Sequence, residues 1–404
     1  MKPLNIAVAG TLASDPYAGM AWMHMQIILG LKRLGHNVYY FEVTSTWPYN
    51  PVLQTRVDNV DYSVSYLNEI FSSYGIENRW AYRATFSDNA WYGMSKEKAE
   101  SFLIDADLVL NISGSTRFSK AELKTGRLVL YGTDPVYPEL RYAMGEKETI
   151  DFINEHDAVI TYGENIGNLD CIIPPLPRLK GKTRQAVIMD LWKSGPPTKK
   201  EFTTVGNWKQ SGRDIEFKGE TYFWSKHHEF LKFMDLPKRT KQPIELAMNL
   251  ASLKTFQHGK GTEIPSFGFE EDEFELLLSN GWNLIDAPSF TTDPWKYRNY
   301  ILSSRAEFSF AKDQNIRLRS GWFSERSACY LAAGRPVITQ DTGFGNILPT
   351  GTGLFPFNTM DEILAAIDAI NGHYEKHSKA AREIAEEFFK AETVMNKVLI
   401  DLGY

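Results

Sequence analysis

The stretch Arg317-Leu-Arg-Ser-Gly-Trp-Phe-Ser-Glu-Arg-Ser-Ala-Cys-Tyr-Leu-Ala-Ala-Gly-Arg-Pro-Val-Ile-Thr-Gln-Asp-Thr-Gly-Phe-Gly345 carries most of what the sequence says about fold. Ser324 is a natural N-cap, Gly334 a natural stop, and Pro336 to Gln340 a short buried strand, so the segment predicts helix, tight turn, strand. The loop Asp341-Thr342-Gly343 follows. A helix N-terminus offers free N–H groups and partial positive charge to an anion. Arg317, Arg319 and Arg326 crowd that end, and a diphosphate would supply the charge that makes such crowding favourable. On charge pattern alone, a surface helix whose arginines pair with acidic neighbours is an equal reading.

Working outward, the same alternation recurs. Residues 5–10 read as a strand, followed by a loop with Asp15, Pro16 and Gly19. A helix with Met23, Ile27, Leu31 and Leu34 on one face then ends at Gly35, and a strand spans 37–43. Further strands are predicted at 108–112, 128–131 and 158–162, with helices at 95–104 and 143–155. Three prolines within Pro174-Pro175-Leu176-Pro177 mark a linker over 172–181. Beyond it strands are expected near 186–192, 203–207, 243–249, 283–286, 306–310 and 336–340, and helices at 266–280, 294–304 and 324–333. A Thr359…Glu362 capping box opens a helical tail. The expected fold class is α/β, with two Rossmann-like domains over 1–180 and 181–372 facing a cleft, and a helical C-terminal tail over 373–404.

Composition narrows the function. With 43% hydrophobic and 23% charged residues, the 404-residue chain is globular and long enough for two cores. A net charge of -6 excludes a nonspecific coat on a polyanion. The two cysteines, Cys171 and Cys329, have no metal-ligand spacing, and the chain shows no signal-peptide pattern or membrane span. A reduced, cytoplasmic protein is expected.

The Ala332-Ala333-Gly334-Arg335-Pro336-Val337-Ile338 run resembles the donor-site segment of GT-B glycosyltransferases, and Leu31 to Val38 resembles the "L-x-x-x-G-H-x-V" start of that family. A still closer likeness is to a bacterial group of predicted glycosyltransferases carrying "SGWFSxRSAxYLAAGRPVxxQDTGF". The resemblance implies a nucleotide-sugar donor bound by the second domain, and no cofactor beyond that substrate. Lys312, Arg317, Arg319, Ser324, Glu325, Arg326, Asp341, Thr342 and Gly343 are its candidate ligands, with Lys209 and Arg213 as alternates. A large retaining family of this fold carries two glutamates eight positions apart; the matching places hold Gly321 and Cys329. Glu325, one turn before Cys329, could reach a similar spot. The choice between retention and inversion stays open.

An inverting transfer needs a base near the acceptor hydroxyl. Asp15, His24 and Asp134 are the candidates from the first domain, since loops at the carboxyl ends of parallel strands face the cleft. For His24 a helix-face histidine without chemical role, and for Asp134 a turn-forming aspartate before Pro135, are the competing readings. Asp105-Ala106-Asp107 spells a metal-binding D-x-D but precedes its strand instead of following it, and His373 with His377 lacks a third ligand, so no metal site is expected. The expected activity is sugar transfer to an unknown acceptor: a small molecule, a glycan or, less favoured, a modified base in DNA. The basic clusters at Lys180–Arg184 and Lys238–Lys241 are short and read better as solvated surface. A nucleotide-sugar 2-epimerase and a noncatalytic nucleotide-sugar-binding protein are the alternatives.

Overall fold

The computed structural model describes residues 2–118, 122–123, 127–210, 212–250 and 271–404. Two parallel sheets organise it. The first has eight strands in the spatial order Leu179–Lys182, Ala158–Thr161, Arg127–Gly132, Leu108–Ile112, Asn5–Ala9, Asn37–Thr44, Trp80–Ala84, Trp91–Gly93, of which only the last pairs antiparallel. The second has six in the order Asn283–Asp286, Ile244–Met248, Phe202–Val205, Ala306–Ser309, Val337–Gln340, Leu354–Phe357, all parallel. Both reverse strand order near their middle, the doubly wound arrangement that the alternation implied. Leu108–Ile112, Ala158–Thr161, Phe202–Val205 and Val337–Gln340 are buried at every position, covered on both faces, which is why none alternates with a period of two.

Several expectations are revised in detail. The Pro-rich run ends in the edge strand Leu179–Lys182, which joins the first sheet through a register shift, so the sheet extends past the expected linker. An edge tolerates the missing N–H donors of proline. The strand expected at 186–192 is instead a single bridge at Val187 and a short 3-10 turn, Met189–Trp192. The helix expected at 266–280 is seen as Glu271–Ser279, and its first five positions lie outside the described residues.

The C-terminal residues are not a free tail. Tyr374–Phe388 lies on the second domain, where Gly353 packs against the backbone of Ala381 and donates its N–H to His377 Nδ1 at 3.3 Å. His377 is thus buried. The last helix, Ala391–Asp401, crosses back: Ala391, Val394, Met395, Val398 and Leu399 join the core of the first sheet. A Cβ at Gly30 would come within 2.9 Å of Ala391 Cβ, so the opening helix Ala18–Arg33 receives this segment closely.

Polar and aromatic groups lock the halves together. Trp22, on the opening helix, is buried among Trp192 and Trp295, and its Nε1 donates to Pro294 O at 2.9 Å. Gln26 Oε1 accepts from Ile188 N and Trp192 Nε1, while its amide reaches Cys329 Sγ at 3.7 Å.

Candidate active site in the interdomain crevice

Parallel pairing sends the loops after each strand to one edge of each sheet, and the two edges face each other. From the first domain come the loops beginning at Gly10, Thr133 and Tyr162; from the second, those beginning at Phe310 and Asp341.

The best-built contact there joins the halves. Lys312 Nζ donates to both oxygens of Asp134, at 3.0 and 2.9 Å. The ammonium also stands 3.0 Å from the centroid of Trp224, and Arg213 lies 4.8 Å from the same ring and 4.0 Å from Asp134. Burial pulls the Lys312 pKa down, against the opposing pull of Asp134. Asp134 is presented by a distorted loop: Val136 has φ 92°, a conformation that costs a β-branched residue about 1–3 kcal/mol. The buried Glu139 carboxylate holds that turn by accepting from Val136 N at 2.8 Å. Trp322 Nε1 closes the loop from the other half by donating to Thr133 O at 3.1 Å.

Beside this pair sits Lys226, 5.5 Å from the Trp322 ring. Its pKa is lowered to about 7, mainly by burial and further by Arg326 and Lys312, with Glu325 and Glu307 opposing. Sequence reading did not single out Lys226, Trp224 or Trp322 as site residues. The run Trp224-Ser225-Lys226-His227-His228 lies at the edge of a short helix and carries no periodicity or motif.

The Ser324 helix is as expected: Ser324 accepts from Arg326 N, and Glu325–Ala332 follows. Glu325 remains at the crevice. A methyl group at Gly19, at the start of the opening helix, would stand 3.9 Å from both Glu325 Oε1 and Tyr297 Oη. The arginines depart from expectation. Arg326 is buried, with Nε on Glu307 at 2.6 Å, Nη1 on Val205 O at 2.5 Å and Nη2 on Ser309 Oγ at 2.5 Å, so its donors are spent inside the domain. Arg317 points to the hairpin Ile215–Phe217/Glu220–Tyr222, where it pairs with Glu220, donates to Thr221 O and covers the Tyr222 ring. Neither is free to meet a diphosphate as placed.

Arg319, Asp341, Thr342 and Gly343 also take a different role, as a seam. Arg319 donates to Asp170 of the first domain at 2.6 Å and to Asp341 at 3.0 Å. Asp341 caps Gly343 N, and Thr342 Oγ1 donates to Trp322 O. Asn165 of the first domain sits at the centre, donating its backbone N–H to Ser320 O and its amide to Arg319 O. Gly321 (φ 78°) lies so close that an added Cβ would fall 2.4 Å from Asn165 N. Gly321 and Cys329, the two positions that the resemblance aligns with a pair of glutamates, are therefore both spent on contact between the halves.

Of the first-domain candidates, Asp134 reaches the crevice. Asp15 pairs with Arg56 at 3.2 Å, and burial outweighs that cation and raises its pKa. His24 is fully buried behind Gly10, whose Cα leaves no room for a Cβ, and desolvation lowers its pKa to about 4. Its Nδ1 faces Met20 O at 2.8 Å, so Nδ1 carries the proton and Nε2 is left without a donor. His24 is a core histidine rather than a base at the crevice. Of the alternates, Lys209 pairs with Glu273 at 2.8 Å. Asp107 is at the amino end of its strand, accepting from Asn5 N at 2.8 Å, on the far edge from the crevice.

This arrangement matches known architecture over the whole chain. The fold is that of the GT-B glycosyltransferases. AviGT4, a glycosyltransferase of avilamycin A biosynthesis, superposes with a TM-score of 0.51 at 13% identity, over 100% of this chain and 99% of its own. Anabaena HepE in complex with UDP and glucose gives 0.56 at 12% identity, over 99% of each chain. An alpha-glucosyltransferase in complex with UDP and mismatched DNA gives 0.59 at 9% identity, over 100% of each. No protein-family model and no curated protein sequence matches the chain. Among the described residues no helix is long and apolar enough to cross a membrane.

Proposed function

We propose that the chain transfers a sugar from a nucleotide-sugar donor to an acceptor hydroxyl in the crevice, without a metal. The observation that carries this reading is the pair of lysines, buried Lys312 and half-buried Lys226, gathered near the start of the Ser324 helix at the carboxyl edge of the second sheet. In such a transfer the acceptor oxygen bonds to the anomeric carbon while the bond to the phosphate oxygen breaks. Its electron pair stays on the leaving diphosphate, and the hydroxyl proton passes to a base. Fixed cations and helix N–H groups suit that growing charge. Glu325, facing Gly19 across the crevice, is placed to accept from a donor hydroxyl. The solved structures of this fold bound to UDP, UDP with glucose, or UDP-glucose support a nucleotide-sugar ligand.

A nucleic-acid acceptor is not favoured. Lys180 shares an open cavity of about 730 Å3 with Asp107, Asp157 and Asp401, and Arg239 with Lys241 shares one of about 380 Å3 with Asp368. Both basic clusters are interleaved with carboxylates, unlike a groove that tracks phosphates.

Calorimetric titration with UDP, GDP and ADP, with and without chelator, tests the reading. Binding of one nucleoside diphosphate, unchanged by chelator, is expected. No binding of any would overturn donor binding, and loss in chelator would overturn metal independence. A sugar–acceptor product separates a transferase from an epimerase, and release of nucleoside diphosphate from the donor separates both from a noncatalytic binder.

A further inference from the structure

Lys312 is committed before any ligand arrives. Its partner Asp134 belongs to the other domain, contacts the ammonium through both oxygens, and is carried on a turn strained at Val136 and pinned by Glu139. Arg213 approaches the same carboxylate at 4.0 Å, and Trp224 stacks under both cations. An anion is already bound to the cation cluster, and it is part of the chain. The other charges around Lys312 do not replace it: Arg326 is paired with Glu307, and Glu325 acts only at longer range.

We propose that Asp134 is an internal stand-in for the leaving diphosphate: the donor displaces it from Lys312, and the displacement frees its carboxylate to take the acceptor proton. The inference rests on the nucleotide-sugar reading above and adds an exchange to it. In the resting protein both Asp134 oxygens are taken by the Lys312 ammonium, with Arg213 at 4.0 Å, so neither is open to an acceptor hydroxyl. When a diphosphate takes the ammonium, Asp134 loses its strongest stabilising contact. Its oxygens are then open to the acceptor hydroxyl while the electrophile sits in the crevice. Donor binding and base activation become one event, which disfavours proton abstraction before the donor is present.

The exchange makes an unusual forecast, because removing a catalytic carboxylate should strengthen ligand binding. UDP is titrated into wild type, Asp134→Asn, Lys312→Met and the double variant by calorimetry, with GDP and ADP in parallel. Transfer or donor hydrolysis is assayed on each. Asp134→Asn is expected to bind the nucleoside diphosphate at least threefold more tightly while losing most of its turnover. In the Lys312→Met background, Asp134→Asn should leave affinity unchanged, because the competition no longer exists. Asp134→Ser serves as a second carboxylate-free variant, and melting temperatures identify any that fail to fold. Equal or weaker affinity in folded Asp134→Asn or Asp134→Ser overturns the exchange, even if the wild type is an active transferase. If the wild type binds no nucleoside diphosphate, the functional reading falls and takes the exchange with it.

Discussion

At the scale of single residues, the crevice is set by lysines and carboxylates whose environments are visible only in three dimensions. Lys226 illustrates how far burial can act. Its pKa is lowered to about 7, so between that value and the ordinary lysine range it is neutral in the folded protein and charged in the unfolded chain. The unfolded state then binds more protons, and this group makes stability rise with pH across that window. Anion binding runs the other way, because the cation is lost as pH rises through about 7. Nucleoside diphosphate affinity of the wild type is therefore expected to fall between pH 6 and pH 8.5, relative to Lys226→Met. The variant should be several-fold weaker at pH 6 and show no matching decline. Parallel pH profiles that differ only by a constant factor would show that Lys226 does not titrate in the site. Tyr40, Ser14 and the N–H groups of Ala13 and Ser14 all donate to the buried Glu42. That side chain anchors the first loop and has no evident part in the transfer itself.

At the scale of the element, the Ser324 helix was legible and the duties of its arginines were not. A capped N-terminus, a glycine stop and a following Pro-Val-Ile strand are local signals, because they reflect backbone donors and allowed φ within a few residues. Apart from the i,i+4 contact of Arg317 with Asp313, which way Arg317, Arg319 and Arg326 point depends on partners from 17 to 149 positions away, and no local pattern carries that. The consequences differ sharply. Arg326→Ala would leave Glu307 buried without its cation, and breaking a buried pair in this way costs about 3–5 kcal/mol. Arg317→Ala removes an exposed pair with Glu220 and a longer, 3.5 Å contact to Asp313, which keeps its hydrogen bond from Phe223 N, and is expected to cost about 1 kcal/mol. Denaturant unfolding of the two variants, compared with turnover, checks both. Arg317→Ala should keep wild-type turnover, since its guanidinium is held at the hairpin away from the crevice.

At the scale of the whole molecule, the last helix ties the chain's end to its beginning. Residues 391–404 supply Val394, Met395, Val398, Leu399 and Leu402 to the core around the first sheet, against the opening helix. Truncation after Phe389 would uncover that core, at about 1.5–3 kcal/mol for each large side chain buried. The expected outcome is an insoluble or largely unfolded product. A soluble truncation with wild-type melting temperature would mean the helix is dispensable. The same crossing explains why composition and capping signals suggested a tail: its polar face is exposed, and its apolar face has a period that suits any partner.

The sequence by itself determined the class of the fold. The recurrence of apolar runs and capped helices dictated two α/β sheets, because these properties depend on backbone geometry and burial within short windows, whereas the Pro-rich stretch leads into an edge strand of the first sheet and does not mark its end. It also placed Asp134 and Lys312 on strand-end loops, where parallel topology obliges them to face a crevice. Only the tertiary structure decided that these two meet, that Lys226, Trp224 and Trp322 surround them, and that Gly321, Asn165 and the Asp341 loop form a seam between halves. The same holds for His24, whose position on a helix is local but whose enclosure behind Gly10 is not. Charge pairing and close packing join residues far apart in the chain, and their strength depends on desolvation that exists only once both domains are assembled.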